Sequence, residues 1–202
     1  FQNSEEASAK TLKGIHQEQH SLLTFNGALF DTKFKAMGLL QDSQGIAHPK
    51  GSSQLMNGVF FIASKITEFG GHFGVGISHL DNLLKDDKAF MIQNGPILLD
   101  YYGKIVITKD TQKMAARTAL GVDNEGNVVL IILHQDLLNT DNAISLYQFA
   151  HLLSEDDFFS AMGLHDVLNL DGGPSTGVVV GDRYLPELSP VQNAVFVVPR
   201  AS

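Results

Sequence analysis

Asp171 stands at the end of an apolar run, Val167–Leu170, and is followed by Gly172, Gly173, Pro174, Ser175, Thr176 and Gly177. A strand that delivers one carboxylate into a glycine turn can do chemistry. The glycines let the backbone turn sharply and present N–H groups, while the carboxylate moves a proton. An acid beside an anion-holding backbone suits sugar or phosphate substrates. The same residues also fit an ordinary strand-to-turn connection with an Asx turn at Asp171, and spacing alone leaves both open. Gly173–Gly177 matches the G-x-S-x-G nucleophile pattern, but in that fold the histidine follows the serine. The last histidine here is His165, which excludes the nucleophile-elbow reading.

Other residues add to this set. Arg117 opens an apolar segment, where a guanidinium could clamp a phosphate with two hydrogen bonds or simply make a surface ion pair. Asn26-Gly27, Asn57-Gly58 and Gln93-Asn94-Gly95-Pro96 each flank a strand candidate. Their amides could read sugar hydroxyls, although Asn-Gly is also common turn chemistry. The eight histidines form no convincing metal set. His16 and His20 share a helical face without the glutamate of the HExxH pattern. Asp123–Gly126 fits a hairpin turn better than a calcium loop. No cofactor and no metal is implied by any spacing, and neither a Walker loop nor a dinucleotide fingerprint occurs.

The elements that must position these groups read as short strands between glycine turns. Ser4 with Glu5 and Glu6 suggests a helix running toward Gln19. Strands are expected at Ser21–Phe25, Met37–Leu40, Ile46–His48, Val59–Ala63, Ala89–Gln93 and Ile97–Tyr101, with another after Gly103 ending at Thr108. Arg117–Asp123 and Val128–His134 should form a hairpin across Asn124–Asn127. Ser78 should open a short helix containing Leu80, Leu83 and Leu84. Ser145 should open another, with an apolar stripe of Leu146, Phe149, Leu152 and Leu153. A shorter helix, Glu155–Met162, should stop at Gly163. Val167–Leu170, Gly177–Val180 and Ala194–Val198 complete the strands. Hairpins with few helices between them predict an α+β fold with a central mixed or mostly antiparallel sheet. Residues 1–202 read as a single domain.

Composition narrows the partners. The net charge is −8, with 14 Lys+Arg against 22 Asp+Glu, which disfavours a general nucleic-acid surface. One local arginine can still bind a phosphate. The absence of cysteine excludes disulfides, zinc-thiolate sites and cysteine nucleophiles. No apolar run is long enough for a membrane span. The oligomeric state is not encoded in any readable feature.

The pieces FNGALFD, NGVFFI, QNGPILL, ARTALGVDNEGNVVLII, YQFAHLL and LNLDGGPST occur in that order between about Leu22 and Val198. Together they resemble the phosphodiester glycosidase family, and its compact bacterial branch most. The resemblance implies cleavage between a sugar's anomeric carbon and a phosphodiester oxygen. It implies catalytic roles for Asp171 and Arg117, with Gly172 and Gly173 holding the phosphate. Asn26, Gly27, Asn57, Gln93, Ser175 and Thr176 would contact the substrate, a sugar-phosphodiester or anionic glycan. A periplasmic or extracellular location is expected. Two positions depart from the pattern: Pro174 replaces a glycine and removes one N–H, and Asn26-Gly27 continues as Ala28-Leu29. The family domain is also expected to have strands before its first Asn-Gly element, where this chain supplies only about 25 residues. The departures keep a second reading in view, a non-catalytic binding module for anionic glycans. A hydrolase of another phosphate or sugar ester is a third.

Overall fold

The structure, a computed structural model, describes residues 2–3, 10–33, 35–42, 44–63, 74–82, 88–134 and 143–199. In chain order its strands are β1 (Gln2–Asn3), β2 (Leu23–Asn26), β3 (Leu40–Asp42), β4 (Gly45–His48), β5 (Gly58–Ala63), β6 (Val75–His79), β7 (Lys88–Asn94), β8 (Ile97–Leu99), β9 (Arg117–Asp123), β10 (Val128–Leu133), β11 (Leu164–Asn169), β12 (Val178–Val180), β13 (Arg183–Leu185) and β14 (Asn193–Val197). The helices are α1 (Leu12–Glu18), α2 (Leu146–Glu155) and α3 (Asp157–Ala161). The fold is α+β, and every strand pairing among the described residues is antiparallel. The strands divide into three sheets, ordered β1-β14-β2-β12-β13, β10-β9-β11-β8 and β4-β3-β7-β5-β6.

The strand alternation of side chains builds the interior. On β9 and β11, Leu120, Val122 and Leu168 face a core shared by all three sheets, together with Phe25, Phe60, Ile92 and Val195. Their neighbours Ala119 and Val167 face the other way, against Phe149, Ala150 and Leu153 of α2. Ser145 caps α2 reciprocally: its hydroxyl accepts from Gln148 N–H at 3.2 Å and its own N–H donates to Gln148 Oε1 at 3.0 Å. Burying Phe149 and Leu153 contributes roughly 1.5–3 kcal/mol each. Asp156 then caps α3 through Phe158 N–H at 3.0 Å. Gly163, at φ +65°, ends the segment. The β9–β10 hairpin closes as expected, with Asp123 Oδ1 accepting from Glu125 N–H and Asn127 N–H at 2.9 and 2.8 Å.

Several elements differ from expectation. The first helix is shorter, capped by Thr11, whose hydroxyl accepts from Gly14 N–H at 3.1 Å; Ser4, Glu5 and Glu6 lie outside the described residues. Ser78 belongs to β6 rather than a helix, because Val75–His79 pairs with β5. Only a short 3-10 turn, Leu80–Asn82, follows, and Leu83 and Leu84 lie outside the described residues. Tyr101 sits in a turn, and the strand expected to end at Thr108 is a single bridge, Ile105 to Leu99. β6 and β13 are strands that the sequence pattern did not show.

Candidate functional site

β11 carries the chain into the Asp171 loop and packs that loop against the start of β9. Asn169 pairs with Ala119. Beyond it Leu170 N–H donates to Thr118 O at 2.8 Å, and Gly173 N–H to Ala116 O at 2.8 Å. The approach is close enough to demand glycine. A Cβ on Gly172 would lie 2.8 Å from Ala116 O and 3.8 Å from the Arg117 Cα, and Gly173 adopts φ +60°. The register therefore packs the Gly172–Gly173 backbone that follows Asp171 against the backbone of Ala116 and Arg117, which are far away in sequence.

The carboxyl of Asp171 is largely buried, which pushes its pKa up to about 6; hydrogen bonds from the Ser175 hydroxyl and Gly172 N–H pull the other way. Such a group changes protonation near neutral pH, as acid–base chemistry requires. Arg117 is 9% exposed. Its Nε donates to Ile144 O at 2.9 Å and its Nη2 to Lys113 O at 2.5 Å. Both acceptors are neutral, and no carboxylate pairs with the guanidinium among the described residues. Burial lowers its pKa without an anion to offset the loss of water. A buried cation held only by carbonyls is a place for an anion to bind.

The remaining predicted residues separate into scaffold and open groups. Asn26 is buried and fully engaged. Its Nδ2 donates to the carbonyl of Asp171 at 2.6 Å, and its Oδ1 accepts from the Thr118 hydroxyl at 2.8 Å and Gly177 N–H at 3.3 Å. It positions the Asp171 loop rather than facing a ligand. Gly27 accepts from Asp171 N–H at 3.2 Å, and Asn193 packs too closely beside it for a Cβ. Gln93 is fully buried. Its Oε1 accepts from Leu39 and Gly51 N–H at 2.9 and 2.8 Å, and its Nε2 donates to Gly51 O and Met56 O at 3.1 and 2.9 Å. No polar atom of Gln93 remains for a sugar. Asn57 Oδ1 accepts from Ile97 N–H at 3.1 Å. The Gly172 and Gly173 N–H groups, expected to hold a phosphate, donate to Asp171 and Ala116 instead.

Among the described residues three buried side-chain polar atoms have no partner: Asn94 Nδ2, Asn169 Oδ1 and Thr176 Oγ1. Thr176 was expected, and Asn94 belongs to the Gln93–Pro96 segment whose amides could read sugar hydroxyls; Asn169 was not singled out. Both belong to quoted motifs, QNGP and NLDGG, and a period-2 reading puts Asn169 on the strand face it shares with Asp171. Gly95 joins the two asparagines, since its N–H donates to Asn94 Oδ1 at 3.1 Å and its carbonyl accepts from Asn169 Nδ2 at 3.0 Å. One idle donor and one idle acceptor thus remain around a single glycine. Among the described residues no group of three or more His, Asp or Glu could hold a metal, and no helix is long and apolar enough to cross a membrane.

Residues 24–198 match the family model for phosphodiester glycosidases. The catalytic domain of zebrafish N-acetylglucosamine-1-phosphodiester alpha-N-acetylglucosaminidase, solved in a form auto-inhibited by its pro-peptide, superposes with a TM-score of 0.69 at 20% identity over 96% of this chain and 68% of that one. A hypothetical protein from Synechocystis superposes at 0.57 with 18% identity, over 96% of this chain and 54% of that one. A putative exported protein from Burkholderia pseudomallei superposes at 0.56 with 12% identity, over 96% and 68%. At these identities the likeness shows the fold. No curated protein matches the chain by sequence.

Proposed function

This chain belongs to the phosphodiester glycosidase family, and we propose from that premise that it hydrolyses the bond between a sugar's anomeric carbon and a phosphodiester oxygen, in envelope or extracellular glycans. The observation that carries this reading is the buried Asp171 carboxyl, which titrates near 6, on a glycine loop packed against the backbone of Ala116 and Arg117. Arg117 Nη1 makes no hydrogen bond among the described residues and would hold the phosphate. Water adds to the anomeric carbon as the C–O bond breaks. The bonding pair stays on the phosphate oxygen, and a phosphate monoester leaves. That leaving group is weakly basic and needs little protonation. Ionised Asp171 therefore serves best as the base that takes the water's proton, and its charge also favours an oxocarbenium-like transition state. Asn94 Nδ2, Asn169 Oδ1 and Thr176 Oγ1 are closed over in this structure. They would pair with sugar hydroxyls as a substrate displaces what covers them.

Turnover of a panel of sugar-1-phosphodiesters by the wild type and by Asp171→Asn tests this. The wild type should turn over one of them, with kcat/KM falling as pH drops through about 6. Asp171→Asn should lose roughly 10²–10⁴-fold and that limb of the profile. Binding without turnover by the wild type would move the chain to the binding-module reading. Pro174 and the committed glycine N–H groups favour that alternative, because the loop offers no backbone donors to an anion.

A further inference from the structure

Arg117 and Thr118 are neighbours on β9 and point to opposite faces of it. Arg117 reaches Ile144 O and Lys113 O, whereas the Thr118 hydroxyl donates to Asn26 Oδ1 at 2.8 Å. Thr118 and Asn26 are 0% and 1% exposed, so water cannot stand in for either partner. On its other side the Asn26 amide donates from Nδ2 to the carbonyl of Asp171 at 2.6 Å. The next residue, Gly27, accepts from Asp171 N–H at 3.2 Å. The two peptide groups that flank Asp171 are therefore held by Asn26 and Gly27, and the Asn26 amide is held in turn by Thr118.

These bonds run in one direction. The Thr118 hydroxyl donates to the Asn26 amide. That amide donates to the peptide joining Asp171 to Gly172. The N–H of the same peptide, on Gly172, donates to the Asp171 carboxylate. Amide and peptide groups are planar and delocalised, so a donor at the oxygen makes the nitrogen a stronger donor. Each bond strengthens the next by roughly 10–30%. The last bond favours the charged form of the carboxyl. Thr118 also fixes which way the Asn26 amide lies. Without the hydroxyl, Asn26 Oδ1 keeps only Gly177 N–H, at 3.3 Å. An amide turned over would set oxygen against oxygen at Asp171.

We propose that Thr118 is a positioning residue for the reaction: through the Asn26 amide and the peptide between Asp171 and Gly172, it orients the Asp171 carboxylate and holds it ionised. The catalytic meaning of this relay rests on the glycosidase reading of Asp171, while the relay itself does not. Ser175 donates to the same carboxylate independently of β9. Among the described residues, the ionisable side chains on the elements that meet this loop are few. They are Arg117 on β9, with Asp123 at the far end of that strand, and His165 and Asp166 at the start of β11. Glu187 lies in the segment whose Leu188 and Ser189 N–H groups hold Pro174 O, and His134 bonds to Pro186 O of that segment at 2.9 Å. β2 and residues 94–97 carry none. Substitution of Thr118 leaves all of these groups in place.

The test follows the Asp171 carboxyl itself, by carboxyl-carbon NMR of the full chain across pH, with Asp171→Asn assigning the signal. The wild-type midpoint should lie near 6. Thr118→Val keeps the side-chain shape and loses the hydroxyl, and should raise the midpoint by about 0.2–0.6 of a pH unit. The acid limb of kcat/KM should move by the same amount. Thr118→Ser keeps the hydroxyl and should restore both. A merely structural role would change stability without moving the ionisation of a carboxyl that the hydroxyl does not bond. In the wild type, the Asn26 side-chain amide protons should shift with the Asp171 midpoint. An unchanged midpoint in Thr118→Val overturns the proposal, and so does an equal rise in Thr118→Ser, which makes the effect one of packing. Should Thr118→Val not fold, the wild-type titration decides, and Asn26 amide protons that ignore the Asp171 midpoint refute the relay. Absence of turnover on every sugar-1-phosphodiester, with the midpoint shift present, overturns the glycosidase reading instead and leaves the relay standing.

Discussion

Gln93 and Asn94 are neighbours on β7, both wholly buried, yet their amides are used in opposite ways. Gln93 makes four hydrogen bonds, tying Leu39, Gly51 and Met56 to its strand. Asn94 makes one, to Gly95 N–H, and leaves its Nδ2 idle. The alternation of a strand explains the divergence. Gln93 points toward the loops that wrap the third sheet, and Asn94 points to the opposite face, where Gly58 opposite it meets Leu168 of β11. A buried amide that satisfies its surroundings is scaffold. One that leaves a donor unpaired costs stability, and that cost persists where a ligand makes use of it.

The contrast breaks hardest at Gln93. Gln93→Leu fills a similar volume but strands two N–H groups and two carbonyls in the interior. Each unsatisfied group costs about 1–3 kcal/mol, and partial relaxation brings the total to about 3–5 kcal/mol. Urea unfolding should show that loss as a lower midpoint. Any activity that survives at low temperature should keep the wild-type KM, because Gln93 touches no substrate. A raised KM at full stability would return Gln93 to the binding site.

Asp171 supplies the next test, on the side of the cost of function. Its folded pKa, about 6, lies above the ordinary value of 3.8. Between about pH 4 and 6 the unfolded chain releases a proton that the folded chain retains, so wild-type stability declines as pH rises through that window. About two units correspond to roughly 3 kcal/mol lost above pH 6. Asp171→Asn cannot ionise. It should unfold later than the wild type by about 1–3 kcal/mol at pH 7–8, with the advantage fading toward pH 4. A variant less stable than the wild type at pH 8 would show that the Ser175 and Gly172 hydrogen bonds outweigh the burial of the charge.

How far the sequence discloses this division depends on the range of the contacts. The β9–β10 hairpin and α2 follow from local signals, the Asp123–Asn127 turn and the Ser145 capping box. β6 is not legible, since Gly76 interrupts its alternation and only pairing with β5 makes it a strand. At the site, Asp171 is legible because its acid and glycines are adjacent. The role of Asn26 is not, because its three hydrogen bonds reach Thr118, Asp171 and Gly177, which are 92, 145 and 151 residues away. The same holds for the glycine N–H groups. The sequence shows donors, and only the register of β11 on β9 shows that Ala116 already accepts one of them.

The smallest effect on stability is expected at Asn94, and that is where the comparison is sharpest. Asn94→Leu removes the bond to Gly95 N–H, worth about 1 kcal/mol, but also removes an unpartnered buried donor of similar or greater cost. The two changes should cancel to within about 1 kcal/mol in urea unfolding. If the idle amide pairs with a sugar hydroxyl, kcat/KM should still fall by about 10–100-fold, the worth of one to two hydrogen bonds. The substrate lacking that hydroxyl should lose its disadvantage in the variant. A variant as active as the wild type on every deoxy-sugar substrate would make the idle donor a packing defect. A variant as unstable as Gln93→Leu would remove the distinction between the two neighbours.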